Sequence, residues 1–155
     1  MKKLLLCASL LSAAVLTSPA RADSVKVGTL TCSASAGWGF VFGSSRSLRC
    51  VFQDGNRVEH YDGNIAKYGV DIGYQQSGVI VWGVFAPTSD VGPGALAGHY
   101  GGLTAGATVG VGLGANALVG GSNNTIALQP ISIQGTTGLN VAAGIGDMTL
   151  TANRD

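Results

Sequence analysis

The sequence predicts an all-β chain: a single-domain β-barrel or sandwich of about eight or nine short strands. Three observations carry the prediction. Apolar residues recur at period two through most of the chain, the spacing of a strand with one buried face. Clusters of Gly, Asn, Asp and Ser interrupt the pattern at short intervals, as turns do. The C-terminal half is also too rich in glycine for helix, since each interior glycine costs about 1 kcal/mol relative to alanine. From Val91 to Gly146 there is no Lys, Arg, Asp or Glu, and the titratable side chains are His99 and Tyr100. Small uncharged residues in that number build packed backbone rather than a site for polar chemistry.

The first 22 residues read as a secretory signal peptide. Met1-Lys2-Lys3 is a basic start, Leu4–Leu16 an apolar run, and Ala20-Arg21-Ala22 a small-residue cleavage site cut after Ala22. The apolar run is thirteen residues, short of the roughly 18–20 needed to span a bilayer. Residues 23–155 then form one domain of 133 residues, with six basic and eight acidic side chains. No basic patch exists for nucleic acid. The expected location is exported: the periplasm, with the extracellular space as the alternative. Cys7 leaves with the signal, and Cys32 and Cys50 remain. An even pair in an exported chain is expected to form a disulfide.

In order, Val25–Cys32 reads as a first strand and Ser33–Gly37 as a loop. Trp38–Gly43 places Trp38, Phe40 and Phe42 on one face, and Ser44-Ser45 turns the chain. Arg46–Phe52 directs Leu48, Cys50 and Phe52 inward and leaves Arg46 wet. Asp54-Gly55-Asn56 is a strong turn, so Gln53–Tyr61 reads as an exposed hairpin, and Asp62-Gly63-Asn64 turns again. Gly69–Tyr74 groups Val70, Ile72 and Tyr74, with Asp71 opposite, before a loop at Gln75–Gly78. Val79–Ala86 is continuously apolar, a central strand covered on both faces, and Pro87 ends it. Thr88–Gly94 is a loop. Thr104–Val119 reads as a strand with odd-numbered Ala, Val and Leu on one face and a nearly bare glycine face opposite. Gly120–Asn124 turns the chain. Thr125–Gln134 is a strand in which Pro130 marks an edge or a bulge. Gly135–Gly138 turns, Leu139–Ile145 alternates, and Met148–Leu150 closes the fold. An outer-membrane barrel is the alternative, opposed by the cysteine pair and the scarcity of aromatics after Phe85.

Catalytic signals are weak. Gly110-x-Gly112-x-Gly114 has no following helix or acid for a dinucleotide site. His60 reads as a solvated strand residue. His99 is the more interesting histidine, and a hydrolase built on it requires a serine and an acid within hydrogen-bond reach. Asp71 reads as a turn or hydrogen-bonding group. Trp38, Phe40, Phe42 and Trp82 are ligand-facing or core, and Asp71, His99 and Tyr100 complete the candidate set. No catalytic, cofactor-binding or metal-binding set emerges. The expectation is a non-enzymatic envelope-associated domain, structural or binding. The alternatives are a protein holding a lipid or small apolar ligand, and a hydrolase using His99. The partners left open are lipid, an envelope protein and a second copy of the chain.

The segments V-G-T-L-T-C, W-G-F-V-F-G-S-S-R-S-L-R-C-V-F, Y-G-V-D-I-G, V-W-G-V-F-A-P, G-A-L-A-G-H-Y-G-G and L-Q-P-I-S-I-Q-G-T-T-G-L-N-V-A-A-G resemble domain of unknown function 992. The resemblance implies an exported alphaproteobacterial protein and no particular activity. The order of Y-G-V-D-I-G, the glycine strand, Q-P-I-S-I and G-L-N-V is similar in layout to SYLF-like domains, which include lipid-binding proteins. This chain lacks the N-terminal amphipathic segment linked there with lipid binding.

Overall fold

The computed structural model describes residues 24–39, 44–67, 73–75, 77–102, 117–134 and 145–153. They form ten strands: β1 (Val25–Ala34), β2 (Gly37–Gly39), β3 (Ser44–Gln53), β4 (Val58–Lys67), β5 (Gly73–Gln75), β6 (Gly78–Ala86), β7 (Gly98–Gly102), β8 (Leu118–Gly120), β9 (Ile126–Gln134) and β10 (Ile145–Ala152). Eight of them close an antiparallel barrel in the order β1-β3-β4-β10-β7-β8-β9-β6, with β6 pairing back onto β1. β2 and β5 make a separate two-stranded ladder. The fold is therefore a barrel, not a sandwich. The expected signal peptide with its cut at Ala22, Phe40, Phe42, Asp71, residues 104–116 of the expected glycine strand, and the turn at 135–138 lie outside the described residues.

Period two decides which side chains fill the barrel. In β1 the inward residues are Leu30, Cys32 and Ala34; in β3, Leu48, Cys50 and Phe52; in β6, Ile80, Trp82, Val84 and Ala86. Tyr61 and Ile65 of β4, Tyr100 of β7, Leu118 of β8, Leu128 of β9, and Met148 and Leu150 of β10 complete the lining, each at most 2% exposed. An eight-stranded barrel has an interior about the width of its own side chains, and here large ones occupy it. Outward positions include Lys26, Arg49, His60, Asp62 and Asn64, all exposed. Among the described residues, apolar inside and charged outside is the reverse of an outer-membrane barrel, which argues against that alternative.

Cys32 and Cys50 are directly opposite in the β1–β3 register and are joined by a disulfide, with Cα atoms 4.0 Å apart. The expected staple between these strands is present, and it lies inside the barrel.

Several expected boundaries move. β1 runs on through Ser33 and Ala34, which pair with Arg49 and Leu48, because small residues continue the in–out alternation without breaking it. Ser44-Ser45 is the start of β3 rather than a turn. Arg46 is not wet: it shares the parity of Leu48 and Cys50, so it points inward and is 7% exposed. The Asp54–Asn56 turn is as expected, and residues 53–60 of the hairpin are exposed or half-buried, while Tyr61 at its end turns into the core.

Asp62-Gly63-Asn64 is the middle of β4, not a turn. Asp62 and Asn64 project outward, and Gly63 lets β10 approach. A Cβ at Gly63 would stand 2.2 Å from the Thr149 carbonyl oxygen and 2.9 Å from Leu150 Cδ2. β5 extends to Gln75 and β6 begins at Gly78, which trims the loop expected between them. β6 is central, flanked by β1 and β9, but only one of its faces is fully covered; outward Val79, Val81 and Phe85 are half-buried.

β7, Gly-His-Tyr-Gly-Gly, carries no apolar alternation and was not expected as a strand. Its pairing with β10 on one side and β8 on the other makes it one. In the described end of the glycine strand Ala117 is buried as expected, but Leu118 is buried too and Val119 is half-buried, so over β8 the phase is opposite to the expected one. Gly120 belongs to β8, and the turn is a 3₁₀ turn at Ser122–Asn124 in which Asn123 has the left-handed φ of 57°. Pro130 sits at a bulge: Val81 pairs with Ser132 and Trp82 with Pro130, which leaves Ile131 as the extra residue, 56% exposed. The bulge lets a residue without an N–H stand inside the wall rather than at its edge.

Among the described glycines, Gly120 makes the tightest contact in the wall, since a Cβ there would meet the His99 carbonyl oxygen. Gly120→Ala is expected to force β7 and β8 apart and to destabilise the fold by about 1–3 kcal/mol, read as a lowered urea midpoint. An unchanged midpoint would show that the two strands yield freely.

Candidate functional site

Polar side chains converge at the barrel rim where β3 turns into β4. Asp54 begins the turn, and its Oδ1 accepts from the backbone N–H of Asn56 (3.1 Å) and of Arg57 (2.9 Å). Its Oδ2 lies 3.0 Å from Arg57 Nη2. Arg57 Nη2 also donates to the Val91 carbonyl at 2.7 Å. Arg57 Nε stands 3.0 Å from Glu59 Oε1, an ion pair without in-line hydrogen-bond geometry. Glu59 Oε2 accepts from the Tyr61 hydroxyl and from the Gly94 N–H at 3.2 Å. Tyr100 donates to the Leu96 carbonyl at 2.7 Å, and the Ser122 N–H donates to the Ala95 carbonyl at 3.0 Å.

These bonds draw the connection from Pro87 to Ala97 across the mouth of the barrel, and Leu96 enters the core with no exposed surface. Both oxygens of Glu59 are engaged, and its side chain is 14% exposed. A carboxylate held in this way, one oxygen by two hydrogen bonds and the other by an ion pair, anchors a loop.

The Arg57 N–H, followed by the Asn56 N–H and the Arg57 charge, holds the Asp54 carboxyl below its ordinary range. Burial raises the Tyr61 phenol, and the neighbouring Glu59 raises it further. Burial, then the presence of Tyr61, raises Tyr100. A pKa raised by folding means stability that is complete below the unfolded value and is lost as pH climbs past it. Unfolded tyrosine ionises near about pH 10, so alkaline unfolding is expected to begin there. Tyrosinate absorbance near 295 nm from Tyr61 and Tyr100 should appear together with loss of the circular dichroism of the barrel. Ionisation of both tyrosines in a barrel that stays folded would contradict this.

On the outer wall, β7 and β10 bring a hydroxyl and an acid to His99. Its Nδ1 lies 3.4 Å from Thr149 Oγ1, and its Nε2 lies 3.1 Å from Asp147 Oδ1. The His99 side chain is 67% exposed. Two shallow hollows adjoin at His60 and Asn153. One is bounded by Thr31, Arg49 and Asp62, the other by Pro93 and Ala97. Among the described residues no group of three or more His, Cys, Asp or Glu comes together for a metal ion.

A family model described as "Protein of unknown function (DUF992)" matches residues 11–151. The chain belongs to the DUF992 family. Comparison with curated proteins and with solved structures finds no match.

Among the described residues of this DUF992 domain, Trp38, Trp82, His99 and Tyr100 do not assemble into one site. Trp82 is core, 1% exposed, and its buried indole Nε1 has no hydrogen-bond partner among the described residues. Tyr100 is also core, and its hydroxyl belongs to the rim network. His99, the preceding residue, points the opposite way. Trp38 lies in β2 opposite Tyr74, apart from the barrel wall. The Glu59 network was not expected: R-V-E-H-Y read as a polar hairpin. The parity of Tyr61 with Ile65 was the signal that one face of β4 turns inward. A lipid or small ligand inside the barrel meets an interior already occupied by Trp82, Tyr61, Tyr100 and Phe52.

Proposed function

We propose that this DUF992 protein is exported, loses residues 1–22, and serves the cell envelope as a non-catalytic domain, structural or binding. The Cys32–Cys50 bond inside the barrel carries the reading, because disulfides form and persist in oxidising compartments. The charged outer wall suits a soluble envelope protein, and the occupied interior favours partner contact through the outside. Fractionation of the native host with thiol trapping tests it. The expected result is a periplasmic or secreted chain beginning at Asp23 with no alkylatable thiol. A cytoplasmic chain retaining residues 1–22 and all three cysteines as free thiols would overturn the reading. Native mass spectrometry of the envelope-purified protein then distinguishes a bound lipid, a protein partner and a second copy.

The second reading, a hydrolase, is favoured by Thr149, His99 and Asp147 standing in one row. A hydroxyl, an imidazole and a carboxylate are the components of nucleophilic acyl transfer. Against it, His99 is open to water on a convex wall, where charge development is screened rather than stabilised. His99→Ala is expected to leave ester hydrolysis at background and to change stability by less than about 1 kcal/mol, as for an exposed pair. A turnover on p-nitrophenyl acetate that disappears in His99→Ala would establish the enzyme instead.

A further inference from the structure

We infer that Cys32 and Cys50 are oxidised before the barrel closes, and that the incompletely folded chain is the substrate of a thiol–disulfide oxidant that accepts extended polypeptide. The two cysteines are 0% and 2% exposed. Both point into the barrel. Cys32 is flanked on one side by Cys50 of β3 and on the other by Ile80 of β6, and the layers above and below are Leu30, Phe52 and Leu48, each at most 2% exposed.

Disulfide formation by exchange has two steps. One cysteine thiolate attacks the oxidant's disulfide, forming a mixed disulfide and releasing one oxidant thiolate. The second cysteine thiolate then attacks the bonded sulfur, forming the Cys32–Cys50 bond and releasing the other oxidant thiolate. The two thiol protons of the chain end on the reduced oxidant. The intermediate places an entire oxidant on one inward-facing sulfur. A closed, filled barrel has no room for it. The open sheet of β1 and β3 does, because its inner face stays uncovered until β6 pairs with β1. Chain order permits this sequence: Cys50 precedes β6 by 28 residues. The oxidant's place in the envelope rests on the export reading; the order of events rests on the geometry alone.

The test runs the reaction backwards on the native, oxidised protein, which follows the same path. Reduction by a fixed concentration of dithiothreitol is measured in urea kept below the unfolding transition. The expected rate climbs steeply with urea, because opening must come first, and in buffer it falls roughly 100-fold or more below that of the unfolded chain. A rate unchanged by urea, with the circular dichroism still native, overturns the inference. A separate readout uses Cys50→Ala: the lone Cys32 is expected to resist an aromatic disulfide reagent in buffer and to react promptly in urea. Prompt reaction in the folded variant also overturns it. If that variant does not fold, the reduction measurement decides. Neither outcome depends on where fractionation finds the protein.

Discussion

Replacing Cys32 and Cys50 together by alanine is expected to cost about 2–5 kcal/mol of folding stability. The bond closes a loop across 18 positions, and a cross-link of that size removes about 3 kcal/mol of freedom from the unfolded chain in the chain-entropy model. Two alanines in place of buried sulfurs also leave unfilled volume beside Leu30, Phe52 and Ile80. The two effects are separable. Loss of the cross-link expands the unfolded ensemble and steepens the dependence on urea, whereas loss of packing lowers the midpoint alone. Equilibrium urea unfolding of the variant and of the oxidised parent measures both. A variant with the midpoint and slope of the parent would make the bond incidental to stability.

Glu59→Ala is expected to cost about 3 kcal/mol. It strands the Tyr61 hydroxyl and the Gly94 N–H, each a loss of about 1–3 kcal/mol where water cannot replace the partner, and it leaves Arg57 without this counter-charge. Glu59→Gln keeps an acceptor for both donors and gives up the charge, so it should cost about half as much. The loss should also be local at first. The backbone N–H of Ala97, which donates to Gly94, and that of Ser122, which donates to Ala95, are expected to exchange with deuterium faster in Glu59→Ala than amides in β3 and β6. Equal costs for Ala and Gln would place the effect in the charge of Glu59 rather than in its hydrogen bonds.

Much of the wall was legible because period two is local. Val25–Cys32, the Asp54–Asn56 turn, the apolar run of β6, its stop at Pro87 and the bulge at Pro130 all express one-dimensional rules, and the cysteine pair could be joined from composition alone. Neighbours in the barrel are not local. β10 enters between β4 and β7, and this placement converts Asp-Gly-Asn from an apparent turn into a mid-strand contact for Leu150. β7 forms because two partners supply its hydrogen bonds, not because its own residues favour extension. The rim network was hidden for the same reason: Glu59 finds Gly94 35 positions away, and Arg57 finds Val91 34 positions away. His99 acquired an acid and a hydroxyl only when β10 came beside β7. The inward turn of Arg46 is written in local parity, which it shares with Leu48 and Cys50.

The ring order of the strands bears on self-association. β6, Gly-Val-Ile-Val-Trp-Gly-Val-Phe-Ala, is uncharged, free of proline and rich in β-branched and aromatic residues, the composition that templates cross-β stacking when its backbone is bare. In the ring it is bonded along nearly its whole length to β1 on one side and β9 on the other. A closed wall has no outermost strand to recruit another chain. Among the described residues, the open edges belong to β2 and β5, three residues each, too short to act as a template. Aggregation is therefore a hazard of the interval before β1 and β6 meet, and the finished molecule is protected by its own topology.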